Sequence, residues 1–137
     1  MSAPSDRTHH PVASDLLEAI GAESAWSDAI SLDRLVWAAG QIGWDKRTGK
    51  LAEGIEAQTE QALENVKATL ERAGATLADV VSVRAYLVNH DDYHRYEPIY
   101  QRYFPEDPPT RVSIVVADNI HHALIDFEVV AVKRADA

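Results

Sequence analysis

Ile55, Thr59, Ala62, Leu63, Val66, Leu70 and Ala73, all but Thr59 apolar, recur at steps of three and four through residues 55–73. At 3.6 residues per turn these positions fall on one stripe, which predicts a long amphipathic helix. Glu56, Glu60, Glu64, Lys67 and Glu71 fall largely on other faces, and Gly74 supplies a stop. A helix with a single apolar stripe must lie on another apolar surface. The segments on both sides of it are β-rich, so that surface is expected to be one face of a sheet.

Residues 29–32 and 35–39 flank Asp33-Arg34 and predict a hairpin. Gly40 is read as breaking its second strand, and 45–49 as a turn. Residues 80–88 predict a central strand, 111–116 a buried strand and 124–132 a final strand. Between them Tyr93, Tyr96, Tyr100, Tyr103 and Phe104 recur at helical steps, as a second helix with an aromatic core stripe. Pro98 kinks that helix or opens its main section, and Pro105 stops it. His90 reads as a turn residue. A short helix is expected over 15–20, with Asp15 as N-cap, Glu18 three residues later and Gly21 at its end.

The order β-β-α-β-α-β-β gives an α/β (α+β) chain, a mixed sheet with two helices packed on one face. The other face stays partly apolar, so an oligomer is expected. Residues 15–135 read as a single domain. Residues 1–14 read as a flexible tail holding His9-His10, a pair too small to bind a metal alone.

Composition narrows the function. The 137 residues carry a formal charge of -9 and their Lys and Arg are scattered, which disfavours nucleic acid as a partner. Without cysteine there is no disulfide or thiolate chemistry. No apolar run reaches the roughly 18 residues of a membrane span, and the polar N-terminus lacks a signal-like apolar region. A soluble, cytoplasmic protein is expected.

Arg111 follows Pro108-Pro109-Thr110 at the start of a strand. A guanidinium there must be paired, solvated or facing a cavity. Its planar fork fits a carboxylate bidentately, so a receptor for a small carboxylate and a structural ion pair are both open readings. Asp126 and Glu128 alternate with apolar residues and share one face of their strand. They could bind a cation, answer an arginine on the adjoining strand, or sit on a solvated face.

An ordered set of short matches then stands out: Ala39-Gly40-Gln41-Ile42, Thr48-Gly49, Gln58-Thr59, 62–67, Ala73-Gly74-Ala75, Asp79-Val80-Val81, Tyr103-Phe104, Pro109-Thr110-Arg111 and 126–132. With these the chain resembles the RidA family, also called YjgF, YER057c or UK114, the reactive-intermediate deaminases. The resemblance implies a chorismate-mutase-like fold and a homotrimer. Its sheets form a barrel core, its helices lie outside, and its sites sit in clefts between subunits. It also implies hydrolysis of enamines or imines, typically 2-imino acids, to the keto compound and ammonia, without cofactor or metal.

Carried over by position, Arg111 is the carboxylate anchor, Gly40 the loop glycine beside the pocket, and Asp126 the acid associated with the catalytic water. The family acid is usually a glutamate, so Asp126 is one methylene shorter. Trp26, Glu97 and Ser113 stand where family deaminases carry tyrosine, asparagine and cysteine. Ala39 replaces a serine, and Gly43 a common proline, with Trp44 following. The anchor stays while its surroundings change, which implies a divergent subfamily. Trp26 and Trp44 suit a substrate larger or flatter than a three-carbon imine, or they pack at a subunit interface. A non-catalytic trimer binding small carboxylates is the alternative; ribonuclease activity, also attached to the family, is disfavoured by the acidic balance.

Overall fold

The computed structural model describes residues 6–23 and 25–135. Its elements run β1 (Thr8–Pro11), α1 (Ser14–Ile20), β2 (Ser27–Leu32), β3 (Leu35–Ile42), β4 (Trp44–Asp45), β5 (Lys50–Leu51), α2 (Ile55–Arg72), β6 (Val80–Leu87), α3 (Tyr93–Tyr103), β7 (Thr110–Val115) and β8 (Ile125–Val132). Six strands form one mixed sheet in the order β1-β2-β3-β8-β6-β7, and β4 and β5 pair separately. β6 and β7 run parallel and α3 is their crossover, which a parallel pair requires.

Alternation along β8 sets the two faces of the sheet. Ile125, Phe127, Val129 and Ala131 are buried, while Asp126, Glu128, Val130 and Val132 are more exposed. The stripe of α2 covers the buried face, with Ala62, Leu63, Val66 and Leu70 fully enclosed. Each large side chain of that stripe contributes roughly 1.5–3 kcal/mol by leaving water. The aromatic stripe of α3 joins the same core: Tyr96 and Tyr100 both lie 6.1 Å from the Phe127 ring. The expected α/β architecture, with α2 and α3 on one face, is therefore present. α3 runs through Pro98, and a 3-10 turn at His90–Asp92 precedes it.

Helix α2 also buries polar side chains, and these hold the loop that follows β3. Asn65 Nδ2 donates to the carbonyls of Ile42 (3.0 Å) and Trp44 (2.9 Å). Gln58 Nε2 donates to Ala52 O at 3.0 Å, and its Oε1 accepts from Leu124 N at 2.8 Å. Gly43 is trapped in this clamp. A Cβ built there would lie 2.5 Å from Gln58 Cα and 2.8 Å from its carbonyl carbon, and would also strike its carbonyl oxygen. Backbone cannot swing aside as a side chain can. Gly43→Ala is therefore expected to destabilise the fold by about 2–3 kcal/mol, measured as a shifted denaturant midpoint at unchanged slope.

Four local expectations are corrected. Residues 8–11 of the expected tail form β1, paired antiparallel with β2; residues 1–5 lie outside the described chain. Local composition carries no strand signal there. The strand exists because the β2 edge offers unpaired backbone groups and because His9 and His10 share hydrogen bonds with Ser27 (2.9 Å) and Ser31 (3.0 Å). Gly40 does not end β3: the strand continues to Ile42 across an irregularity between Ala38 and Gln41. The cap of α1 is Ala13, with no side-chain bond, so Asp15 falls in the first turn instead. Finally, β7 is an edge strand rather than a buried one, with Val112 54% and Val115 50% exposed. Only Ile114 of its apolar run is even half-buried.

Candidate functional site

The residues singled out in the sequence fall into two groups, and the fold explains both. The first is built on β7 and α3. In the parallel register Arg111 stands beside Val83 of β6, on the helix side of the sheet. Its guanidinium carbon lies 4.5 Å from the centre of the Tyr100 ring, with Tyr96 at 5.4 Å and Tyr93 at 5.7 Å. Tyrosines at steps of three and four on α3 thus make a π floor under the cation. Arg111 Nη2 donates to the Tyr93 hydroxyl at 3.0 Å.

Glu97 Oε2 lies 2.7 Å from Arg111 Nη1. Both atoms are buried, yet neither has a hydrogen bond of good alignment. The contact is thus an ion pair and not a bidentate fork. Burial pushes the guanidinium pKa down, but Glu97 and the tyrosines outweigh it, so the group is held more firmly protonated than usual. Tyr100 is pushed up to about 12, by burial first. Its hydroxyl is buried without a partner. Ser113 and Tyr96 share a hydrogen bond of 2.6 Å, which fixes one tyrosine of the floor. Arg111, Glu97 and Tyr100 line a groove of about 320 Å³.

The second group surrounds Asp126, where β8 pairs with the end of β3 (Ile42 opposite Asp126). Gly40 leaves room for the carboxylate: a Cβ there would lie 2.8 Å from Asp126 Oδ1 and 3.1 Å from Oδ2. The shorter acid thus sits directly against the loop glycine. Asp126 Oδ1 is buried and accepts no hydrogen bond from the described residues. Burial, and then Glu128 on the same strand face, raise its pKa to about 6, against a lowering contact from the Gln41 backbone. A carboxylic acid poised there can give or take a proton near neutrality.

Asp126 opens on a cavity of about 330 Å³ whose wall includes Gly40, Trp26 and Trp44. Trp44 is nearly buried (7%), while Trp26 is partly exposed (39%). Glu128 does not line this cavity. It lies on the open sheet face, accepting from Tyr86 Oη at 3.1 Å and standing 4.0 Å from Arg84. Arg111 does not line the cavity either. The two groups occupy separate concavities of one subunit, and Arg111 has an ion pair within its own chain.

Two features of the cavity escape sequence reasoning. Asp28 in β2 is a buried hub: it accepts from Gln41 (3.0 Å), Thr69 (2.8 Å) and Lys46 (3.3 Å) and pairs with Arg72. Burial alone would raise its pKa, but Lys46 and these hydrogen bonds hold it below the usual carboxylate value. His121 lies on the wall with its ring 5.0 Å from that of Trp44. No helix among the described residues is long and apolar enough to cross a membrane.

Comparison with known proteins agrees with this fold. The family described as Endoribonuclease L-PSP matches residues 16–133. A RutC family protein of Pyrococcus abyssi is 40% identical over 110 residues, covering 80% of this chain and 87% of its own. The human 2-iminobutanoate/2-iminopropanoate deaminase is 32% identical over 117 residues, covering 85% of each. The crystal structure of RidA from an Antarctic Psychrobacter superposes with a TM-score of 0.78 at 29% identity, over 90% of this chain and 94% of that one. With that match over most of its length, the chain belongs to the Endoribonuclease L-PSP family, which includes RidA and YjgF.

Proposed function

We propose that the protein hydrolyses 2-imino acids or related reactive enamines to the keto compound and ammonia, as a homotrimer without metal or cofactor. The observation that carries this reading is Asp126: a half-buried carboxyl whose Oδ1 is enclosed and unpartnered among the described residues, raised to about 6 and pressed against Gly40 at the edge of a cavity. Acids enclosed in a fold are mostly paired; this one has only the Gln41 backbone to offset its burial, and such a group beside a cavity is a candidate for chemistry. The name of the human relative, an iminobutanoate and iminopropanoate deaminase, supports the same chemistry.

In this reading Arg111 of one subunit reaches the Asp126 cavity of its neighbour. Val112 of β7 and Trp37, both exposed on the open sheet face, belong to the surface such an assembly would cover. The guanidinium holds the substrate carboxylate and so fixes the imine carbon near a water at Asp126. The imine enters protonated on nitrogen. Asp126 takes a proton from that water as its oxygen bonds to the imine carbon, and the C=N π pair moves to nitrogen, leaving a neutral carbinolamine. Asp126 returns its proton to that nitrogen and then accepts the hydroxyl proton as the C=O bond forms and the C–N bond breaks; ammonia leaves, and Asp126 releases the last proton to solvent. One carboxyl serves as base and then as acid, for which a value near the working pH is best.

The test is ammonia release from imino acids generated in place by an amino-acid oxidase. Addition of the protein should accelerate release, and sedimentation should give a trimer. The rate also has a predicted pH dependence. Only ionised Asp126 can accept a proton from water, so kcat/KM should rise with pH. The limb should fall between the ordinary 3.8 and about 6, because a neighbouring guanidinium opposes the upward shift that burial imposes within one subunit. Asp126→Asn should lack this limb. Saturable binding of a keto acid without acceleration would favour the non-catalytic reading, which the Glu97–Arg111 ion pair supports.

A further inference from the structure

The cavity beside Asp126 has more wall than a three-carbon imine can touch. At about 330 Å³ it falls in the range of sites that enclose much larger ligands, roughly 300–1,000 Å³. Its wall away from Asp126 is formed by Val12, Leu16, Trp26, Trp44, Ile120 and His121. Val12 and Leu16 come from the segment around α1, which clusters with Ile42 and Trp44. That segment gives the cavity an apolar side that β3 and β8 alone could not provide.

The wall offers no spare charge to a substrate side chain. Its charged members apart from Asp126 are Asp28 and Lys46, and these lie 3.3 Å apart in a hydrogen-bonded pair. A second ionic group on the substrate would have to break that buried pair.

The wall is also held in place against backbone preference. His121 and His122 both adopt left-handed φ, at 57° and 58°. Side chains disfavour that conformation, and adjacent strained residues persist only where their surroundings fix them. Here Asn119 Nδ2 donates to Tyr86 O and Ala123 O, each at 3.2 Å, and His122 Nδ1 pairs with Asp118 Oδ2 at 2.8 Å. The outcome is a His121 ring set 5.0 Å from Trp44 at an interplanar angle of 42°. An aromatic pair on a wall shared with Val12, Leu16 and Ile120 suits a flat apolar group.

We propose that the cavity receives the side chain of an aromatic 2-imino acid, with Trp26, Trp44 and His121 as the residues that select it. This rests on the imine-hydrolysis reading above and adds the substrate class. The uncharged aromatic ring lies among the indoles and His121, and the imine carbon stays beside Asp126.

The experiment compares imines generated by an amino-acid oxidase from phenylalanine and from alanine. The expected kcat/KM is about tenfold or more in favour of the phenylalanine-derived imine, the scale on which apolar contacts discriminate. Trp26→Ala and His121→Ala, both at the cavity rim, should each reduce this preference by at least about threefold to fourfold, roughly the worth of one buried methylene at about 0.8 kcal/mol. Trp44→Leu should do the same, but Trp44 is part of a core cluster, so the two rim variants decide. Preference for the alanine-derived imine, or variants that slow both substrates equally, would overturn the assignment while leaving imine hydrolysis intact. Binding of phenylpyruvate and pyruvate, followed by tryptophan fluorescence, separates the two claims. Tighter binding of phenylpyruvate with no turnover of any imine would uphold the selectivity and sink the hydrolysis. Equal or weaker binding of phenylpyruvate would sink the selectivity.

Discussion

Arg111→Ala is expected to lower kcat/KM for imine hydrolysis by roughly 10²- to 10⁴-fold. Two charge-assisted hydrogen bonds to a substrate carboxylate contribute about 1.5–3 kcal/mol each, and every 1.4 kcal/mol is tenfold. Lysine should not restore the rate. It supplies a point charge where the site offers a planar seat, with the Tyr100 ring 4.5 Å from the guanidinium carbon and the Tyr93 hydroxyl 3.0 Å from Nη2. Glu97 complicates the variant, since its Oε2 lies 2.7 Å from Nη1 and would be left buried without a counter-charge. Adding Glu97→Gln removes that burden, so the double variant should recover thermal stability and stay inactive. Glu97→Gln alone should lower KM, because the substrate carboxylate no longer competes with a resident one. Ammonia release equal to that of the parent would remove Arg111 from the site altogether.

The Glu97 ion pair also shows where sequence reasoning stops. The stripes of α2 and α3 were legible because burial repeats every three or four residues and the periodicity is local. The β2–β3 hairpin was legible for a similar reason: two apolar runs are joined by a turn as short as Asp33-Arg34. By contrast, Glu97 and Arg111 meet across two elements, and nothing near either residue announces the other. Asp28 is a stronger case. A lone aspartate beside an apolar run looks like a strand boundary, yet its partners Lys46, Thr69 and Arg72 stand 18, 41 and 44 residues away. β1 was missed because its pairing is imposed by the edge of β2, not by its own composition. His121 gave no signal, since left-handed backbone is normally marked by glycine or asparagine, and here two histidines adopt it. The family resemblance brought Gly40, Trp26, Trp44 and Asp126 to one cavity, but only the fold set Arg111 and Glu97 apart from them.

That separation makes a mixing experiment decisive. Arg111→Ala and Asp126→Asn should each be nearly inactive alone, by roughly 10²-fold or more. If every site takes its arginine from one subunit and its acid from the next, the two defects complement each other. Unfolding and refolding an equal mixture scrambles the subunits. A given site is then intact when one neighbour keeps Arg111 and the other keeps Asp126, which occurs at about a quarter of the sites in a cyclic assembly. Activity should therefore climb from near zero to about a quarter of the parent rate, a gain that no simple mixing of damaged monomers produces. A mixture that stays as inactive as its parts would mean that both groups act within one subunit or not at all. The geometry argues against the first, since Arg111 and Asp126 open on different concavities.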